Sequence, residues 1–161
     1  DGIICFDSKP GQGTTFSLFL PAVDAPAASE TPNIEQWVAG HETVLVVDDE
    51  PYILDACTAM LTGMGYRVLT AGSGADAVAL YSKREQPIDL VILDMVMPEM
   101  DGRETFRQLK KLDPDVKVIL SSGYSLEDMA EEMLSMGCES FVQKPFDEHQ
   151  ISRKIRELLG E

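Results

Sequence analysis

Cysteine is scarce in this chain of 161 residues, and the few cysteines are not spaced as they are in disulfide frameworks or metal sites. Its three cysteines, Cys5, Cys57 and Cys138, lie far apart and form neither a Cys-x-x-Cys pair nor a cluster with histidine. This spacing argues against a disulfide framework and against a thiolate metal site. Free thiols in a reducing compartment are expected instead, so we predict a cytoplasmic location.

Basic residues are few as well. Lys and Arg together number 13 against 28 Asp and Glu, which gives a formal net charge of −15. Because affinity for nucleic acid comes mostly from cations that neutralise phosphates, we expect no nucleic-acid partner. A solvated acidic surface accounts for most of these charges and suits a chain that binds other proteins.

No apolar run is long enough to cross a membrane. The longest one near the start, residues 16–23, is too short and is interrupted by Ser17 and Pro21. No basic start precedes an apolar core, so a signal peptide and direct membrane contact are not expected. The chain opens with Asp1-Gly2 rather than Met, which predicts that it is a fragment of a longer protein.

Strand and helix patterns alternate from His41 onward, after an Ala- and Pro-rich stretch at 21–32 that indicates a linker. The predicted strands are Thr43–Val47, Arg67–Ala71, Asp89–Leu93, Lys117–Ser121 and Ser140–Gln143. The predicted helices are Tyr52–Leu61, Ala75–Lys83, Arg103–Leu112, a helix from Ser125 that ends at Gly137, and Glu148–Leu159. Five strands alternating with five helices predict an α/β fold with a doubly wound parallel sheet.

Acidic residues directly follow two of these apolar runs. Asp48 and Asp49 follow the first strand, and Asp94 follows the third. In open α/β sheets chemistry lies beyond the carboxyl ends of the strands, and three carboxylates there repel one another unless a divalent cation joins them. The pattern therefore predicts a Mg²⁺ site and phosphoryl chemistry on an aspartate. The alternative for Asp48 and Asp49 is an acidic helix cap before Pro51.

A hydroxyl and a lysine directly follow two further strands. Ser122 follows the fourth strand and precedes the small Gly123, so a phosphoryl oxygen could approach it closely. Lys144 follows the fifth strand and precedes Pro145, and the sequence does not specify whether that peptide bond is cis or trans. A polar turn and a solvated lysine are the alternatives.

The order Asp-Asp, Asp, Ser, Lys at the ends of strands one, three, four and five resembles the receiver domain of two-component response regulators, over about residues 42–159. The resemblance implies a flavodoxin-like sheet in the order 2-1-3-4-5, with Asp94 as phosphoacceptor. It implies Mg²⁺ ligation by Asp48, Asp49, Asp94 and the backbone carbonyl of Val96. It also implies that Ser122 and Lys144 contact the phosphoryl group.

The same resemblance implies a switch and an output surface. Phe141 matches the family's aromatic switch position and would follow Ser122 inward, while a plain core aromatic is the alternative. The output face would include Phe141 and three methionines, although methionines at helical spacing are also common in cores. These methionines are Met129, Met133 and Met136.

Two positions depart from the faster members of the family. The residues two after Asp94 and two after Ser122, which flank the path of the hydrolytic water in this family, are Val96 and Tyr124. Neither side chain is a carboxylate or amide that orients water. A long-lived aspartyl phosphate is therefore predicted.

The start of the chain resembles the end of a histidine-kinase ATP-binding domain, through the Gly-Thr-Thr-Phe string at 13–16 and a closing β-hairpin. A plain hairpin is the alternative. The other parts of the nucleotide pocket are missing, so we expect neither ATP binding nor a full enzyme. The predicted organisation is a kinase remnant at 1–21, a linker at 22–41 and a receiver domain at 42–161. An exposed hairpin could also pair with another chain and form a dimer.

The predicted function is that of a phosphorelay receiver at the C-terminal end of a hybrid sensor histidine kinase. The phosphodonor would be a phosphohistidine on a histidine kinase, expected to be its own parent chain, which could be anchored in a membrane. Because no output module follows the last helix, the signal would leave by transfer to a histidine phosphotransfer protein or by docking.

Two other functions compete with this prediction. A haloacid-dehalogenase-type phosphatase also uses an aspartate nucleophile, but that class carries Asp-x-Asp after its first strand, where this chain has adjacent acids. A degenerate receiver that only binds a partner is the second alternative. The complete set of acidic, hydroxyl and lysine residues argues against it.

Overall fold

The computed structural model describes residues 2–22, 40–83, 86–123, 136–138 and 140–160. The chain divides into two compact units, Asp1–Glu35 and Gln36–Glu161. The first unit contains a hairpin, and the second contains the parallel sheet and its helices.

The hairpin consists of strands β1 (Ile3–Lys9) and β2 (Gly13–Phe19), which pair antiparallel as predicted. The turn between them is closed by the backbone N–H of Gln12, which donates to the carbonyl of Lys9 at 3.0 Å. The register places the pairs Ile4–Leu18 and Phe6–Phe16 on one face, with the two phenylalanine ring centroids 6.2 Å apart. The opposite face carries the apolar pair Ile3–Phe19 and, nearer the turn, the polar pair Asp7–Thr15. The large apolar side chains of the hairpin are exposed.

The second unit is built on a parallel sheet of five strands in the order β4-β3-β5-β6-β7, which confirms the predicted order 2-1-3-4-5. The strands are β3 (Thr43–Val47), β4 (Arg67–Ala71), β5 (Leu90–Asp94), β6 (Val118–Ser122) and β7 (Ser140–Gln143). Both β5 and β6 begin and end one residue later than predicted. Their last residues stay paired with the neighbouring strand, Asp94 with Ser121 and Ser122 with Gln143, so the sheet continues up to the polar side chains.

Four of the five predicted helices lie within the described residues. They are α1 (Pro51–Gly63), α2 (Gly74–Lys83), α3 (Gly102–Leu112) and α4 (Glu148–Leu159). The helix predicted from Ser125 lies outside the described residues. Helix α1 begins one residue earlier than predicted, at Pro51, because the fixed φ of proline suits the first helical position. None of the described helices has the length and apolarity that crossing a membrane requires.

Alternate residues of each central strand pack against helices on opposite sides of the sheet. Leu45 shares one core cluster with Phe106 of α3, and Val44 shares the other with Leu61 of α1 and Ile151 of α4. All five residues of β3, of β5 and of β6 are buried. Burial on both faces explains why these strands are continuous apolar runs in the sequence. The polar residues at their carboxyl ends therefore converge on one edge of the sheet.

Candidate functional site

Three carboxylates meet where strands β3 and β5 end. Asp48 and Asp49 follow β3, Asp94 closes β5, and these two strands are hydrogen-bonded neighbours. One carboxylate oxygen from each residue lies within 4.8 Å of the other two. Asp48 and Asp94 are buried, whereas Asp49 is exposed. The cluster is thus a shallow acidic pocket with one wall open to water.

Lys144 reaches this pocket from the end of β7. Its Nζ lies 2.5 Å from Oδ2 of Asp48 and 2.9 Å from Oδ1 of Asp94. Its backbone N–H donates to the carbonyl of Ser122 at 2.7 Å, which ties the end of β7 to the end of β6. The following peptide bond, Lys144–Pro145, is cis. Lys144 is therefore an ion-paired side chain in the pocket rather than a solvated one.

The electrostatics of the pocket are set by burial and by this shared ammonium group. Burial raises the pKa of Asp94, and although Lys144 opposes the rise, the nearby charge of Asp48 adds to it. Burial alone would lower the pKa of Lys144, but its hydrogen bonds to Asp48 and Asp94 outweigh that effect and the pKa is raised. One ammonium group thus faces three carboxylates. The pocket carries a net negative charge that a divalent cation would compensate.

The hydroxyl and aromatic residues singled out in the sequence lie beside the pocket or in the core. Ser122 is fully buried at the end of β6, one strand away from Asp94. Phe141 of β7 is also buried and belongs to the core cluster on the α2 and α3 side of the sheet. The side chain of Val96 is exposed. The switch role of Ser122 and Phe141, and metal ligation by the carbonyl of Val96, stay predictions.

The predicted output surface can be placed only in part. Met136 is half-buried and packs against the core cluster that contains Phe141. Met129, Met133 and Tyr124 lie outside the described residues. For Met136 the packing agrees with the core interpretation of the methionine spacing.

Gly102 allows helix α3 to start against the backbone that carries Asp94. A Cβ at this position would lie 2.5 Å from the carbonyl oxygen of Asp94 and 2.7 Å from Cα of Met95. The N–H of Gly102 donates to the carbonyl of Met95 at 3.2 Å, and Asp101 caps the helix through the N–H of Glu104. The Asp-Gly pair after the third strand therefore fixes the approach of α3 to the pocket.

Replacing Gly102 by alanine is expected to destabilise the fold by about 1–3 kcal/mol, because backbone atoms rather than a flexible side chain must move. Gly63→Ala is the matched control. A Cβ on Gly63 meets nothing within 4 Å, so this change should be neutral or stabilising by up to about 1 kcal/mol. Urea unfolding of both variants measures the difference. Equal stabilities of the two variants would contradict the close approach.

Sequence reasoning missed an apolar groove next to Lys144. The groove has a volume of about 370 Å³ and lies between α1 and the segment after β7. Its lining residues are Ile53, Ala56, Cys57, Met60, Lys144, Pro145 and Phe146. Burial raises the pKa of the Cys57 thiol, and the charge of Asp48 adds to this rise. The spacing of Ile53, Cys57 and Met60 marks one helix face in the sequence, but nothing there shows which segment faces it.

A buried ion pair was missed as well. Arg156 of α4 contacts Glu42 and Tyr66, which directly precede strands β3 and β4 and are far from Arg156 along the chain. No sequence pattern predicts this pairing, because the three residues come from three separate segments.

Comparison with known proteins identifies the protein family that carries this pocket. The model of the response regulator receiver domain matches residues 44–156. The chain belongs to this family. Receiver domains are the phosphoacceptor domains of two-component signalling, and they bind Mg²⁺ at an acidic pocket and act with histidine kinases and phosphotransfer proteins. A receiver identity, rather than a phosphatase of the haloacid dehalogenase type, is therefore established.

Curated relatives of this chain include a sensor kinase and a chemotaxis protein. Sensor kinase CckA of Brucella abortus is 36% identical over 167 residues, which cover 98% of this chain and 18% of that protein. Chemotaxis protein CheY of Treponema pallidum is 32% identical over 117 residues, 72% of this chain and 81% of that protein. The chain thus spans less than a fifth of the length of CckA, and the match to CckA extends to nearly the whole chain.

Solved receiver structures share the fold. A receiver domain protein from Clostridium thermocellum is 31% identical with a TM-score of 0.69, and the match covers 74% of this chain and 94% of that one. TrrA from Thermotoga maritima, solved with Mg²⁺ and a beryllium fluoride, is 34% identical with a TM-score of 0.64. That match covers 73% of this chain and 99% of TrrA.

Proposed function

We propose that this receiver domain accepts a phosphoryl group on Asp94 while Mg²⁺ is held by Asp48, Asp49, Asp94 and the backbone carbonyl of Val96. The observation that carries the proposal is the meeting of three carboxylate oxygens within 4.8 Å, beside the ammonium group of Lys144. Mg²⁺ prefers oxygen ligands and keeps several waters, which suits a shallow pocket with an exposed Asp49. The bound ion would neutralise charge on the phosphoryl oxygens.

In the proposed reaction an oxygen of Asp94 attacks phosphorus in line with the leaving group. The new O–P bond replaces the N–P bond of a phosphohistidine, and the electron pair of that bond returns to the leaving imidazole. Lys144 would turn from its contact with Asp94 to an oxygen of the phosphoryl group, and the hydroxyl of Ser122 would donate to another. A complete set of these residues favours a working receiver over a degenerate one.

The proposed partners and domain organisation follow from the match to CckA, which extends over the hairpin as well as the sheet. We propose that residues 1–21 are the end of a kinase ATP-binding domain, 22–41 a linker and 42–161 the receiver of a hybrid histidine kinase. The phosphodonor would be a histidine kinase, its own parent chain, and the acceptor a histidine phosphotransfer protein. The exposed apolar face of the hairpin also permits a dimer through residues 1–21. A cytoplasmic location stays a prediction.

Beryllium fluoride, which mimics a phosphoryl group on a carboxylate, tests the proposed site. Fluorine NMR is expected to show a bound signal for the wild-type chain only when Mg²⁺ is present. Asp94→Asn should abolish the signal. Asp115→Asn, which removes an exposed carboxylate just before β6 at the opposite end of the sheet, should keep it. A bound signal that survives Asp94→Asn, or that forms equally well without Mg²⁺, would refute the proposal.

The phosphorylated chain is expected to lose its phosphate slowly, because Val96 offers no group that orients water. Val96→Asn places an amide at this exposed position and should speed phosphate loss by at least about tenfold. Phosphate release after labelling measures both rates. A wild-type lifetime of seconds, or no change in Val96→Asn, would contradict this expectation.

A further inference from the structure

A buried ion pair fixes the place where the chain enters the receiver. Glu42 lies just before β3, and its carboxylate accepts two hydrogen bonds from Arg156 of α4, from Nη1 at 2.9 Å and from Nη2 at 2.7 Å. Two parallel bonds between a guanidinium and a carboxylate fix both distance and orientation. The side chains of Arg156 and Glu42 are only 10% and 13% exposed, so water screens the pair weakly.

Tyr66 completes the arrangement from the turn between α1 and β4. Its hydroxyl accepts from Nε of Arg156 at 3.1 Å and from Nη2 at 2.8 Å, and the guanidinium carbon lies 5.3 Å from the centre of its ring. Tyr66 is 3% exposed. The guanidinium of Arg156 is therefore held by partners from two other segments of the chain. Such multiple contacts are characteristic of arginine in buried pairs.

The backbone just before Glu42 is fixed to the same turn. The N–H of Gly40 donates to the carbonyl of Met64 at 2.9 Å, and the N–H of Arg67 donates to the carbonyl of Glu42 at 2.9 Å. A Cβ on Gly40 would lie 2.0 Å from the ring of Tyr66, so only glycine allows the chain to pass there. Residues 40–42 thus follow a single path under the tyrosine ring.

We propose that Gly40, Glu42, Tyr66 and Arg156 form an entry anchor that couples the position of α4 to the path of the chain leading into the receiver. A shift of α4 at Arg156 must either carry residues 40–42 with it or break the pair with Glu42. The hydrogen bonds from Arg156 hold the pKa of Glu42 at about 2, so the pair is charged at neutral pH. The entry anchor lies outside the acidic pocket and does not depend on the function proposed for it.

Amide hydrogen exchange on the full 161-residue chain tests the entry anchor, with the N–H of Gly40 as reporter. Glu42→Gln places an amide nitrogen against a guanidinium donor and leaves the bonds from Arg156 to Tyr66 in place. Arg156→Met keeps an apolar stem but removes the bonds to both Glu42 and Tyr66. Both variants should speed exchange at Gly40 by about tenfold or more, while Ile92 in the central strand β5 stays protected. The double variant should release Gly40 about as much as Arg156→Met alone, because the pair with Glu42 is already broken in that variant.

Glu157→Gln is the matched control, because Glu157 is next to Arg156 on α4 but makes only exposed ion pairs among those described. Exchange at Gly40 should stay at the wild-type rate in this control. The entry anchor is refuted if Glu42→Gln and Arg156→Met behave like the control at Gly40. It is also refuted if Gly40 and Ile92 accelerate together, since that shows global destabilisation alone. Should Arg156→Met fail to fold, Arg156→Lys keeps the charge but loses the two-bond geometry and should still release Gly40.

Discussion

Replacing Lys144 by methionine is expected to slow phosphoryl uptake from a small phosphodonor such as acetyl phosphate by about a hundredfold or more. Methionine keeps an unbranched apolar stem but removes the ammonium group, which lies 2.9 Å from the proposed acceptor oxygen of Asp94. Without it, one of the cations that would neutralise the phosphoryl oxygens in the transition state is missing. The rate of mass gain at saturating Mg²⁺, followed by intact-mass spectrometry, gives the effect.

Lys110→Met is the matched control for this prediction. Lys110 is also half-buried, but its Nζ donates to the carbonyls of Pro114 and Val116 at 3.0 Å each, far from the pocket. Its loss should lower stability without slowing phosphorylation. Similar rates in the two variants would show that Lys144 contributes to the fold only.

Asparagine at position 94 is expected to stabilise the metal-free fold at neutral pH. Burial raises the pKa of Asp94, so the folded chain binds this proton more tightly than the unfolded chain does, and the ionised carboxylate costs stability. That cost is absent well below the ordinary value of 3.8 and develops as the pH rises through the raised pKa. Asparagine never ionises, and Lys144 keeps its partner Asp48. The advantage of the variant should therefore grow from about pH 4 to about pH 7.

Magnesium should reverse this advantage. At a concentration about a hundred times its dissociation constant, a ligand that binds only the folded state adds about 2.7 kcal/mol. The wild-type chain should gain this amount, and Asp94→Asn much less, because it has lost one ligand charge. Urea unfolding with and without Mg²⁺ measures both effects, with Asp115→Asn as an exposed control. An Asp94→Asn variant that is less stable than wild type without metal at about pH 7 would contradict the account of the pocket.

The sheet and the pocket could be predicted because the sequence records them locally. An apolar run such as residues 44–47 must be buried on both faces, and the acids that follow it must lie at the carboxyl edge. The strand order was implied by the resemblance to receiver domains. That resemblance rests on these acids together with Ser122 and Lys144. The structure brings Asp48, Asp49, Asp94 and Lys144 into direct proximity at that edge.

The features that were missed depend on contacts between distant segments. The pair of Glu42 and Arg156 joins residues 114 positions apart, and neither residue stands out in its own segment. The apolar groove beside Lys144 forms only when α1 faces Pro145 and Phe146. The end of β5 at Asp94, one residue beyond the prediction, depends on pairing with β6 rather than on the residue itself. Periodicity and turn residues carry no information on such contacts.

For the hairpin, the sequence predicts the two strands but not their partner. Its strands were predicted from the resemblance carried by the Gly-Thr-Thr-Phe string at 13–16, whereas the pairing of Phe6 with Phe16 is seen only in the structure. The Gly-Thr-Thr-Phe string does not specify a partner for the exposed apolar side chains of the hairpin, and a two-stranded hairpin is marginally stable by itself.

The most direct test of the central claim is the intact mass of the chain after incubation with acetyl phosphate. We expect the wild-type chain to gain one phosphoryl group when Mg²⁺ is present and none when the ion is chelated, and peptide mapping to place the group on Asp94. Asp94→Asn should gain none under either condition. A phosphoryl group on Asp94→Asn, or a wild-type chain that stays unmodified with Mg²⁺ and excess phosphodonor, would contradict the account.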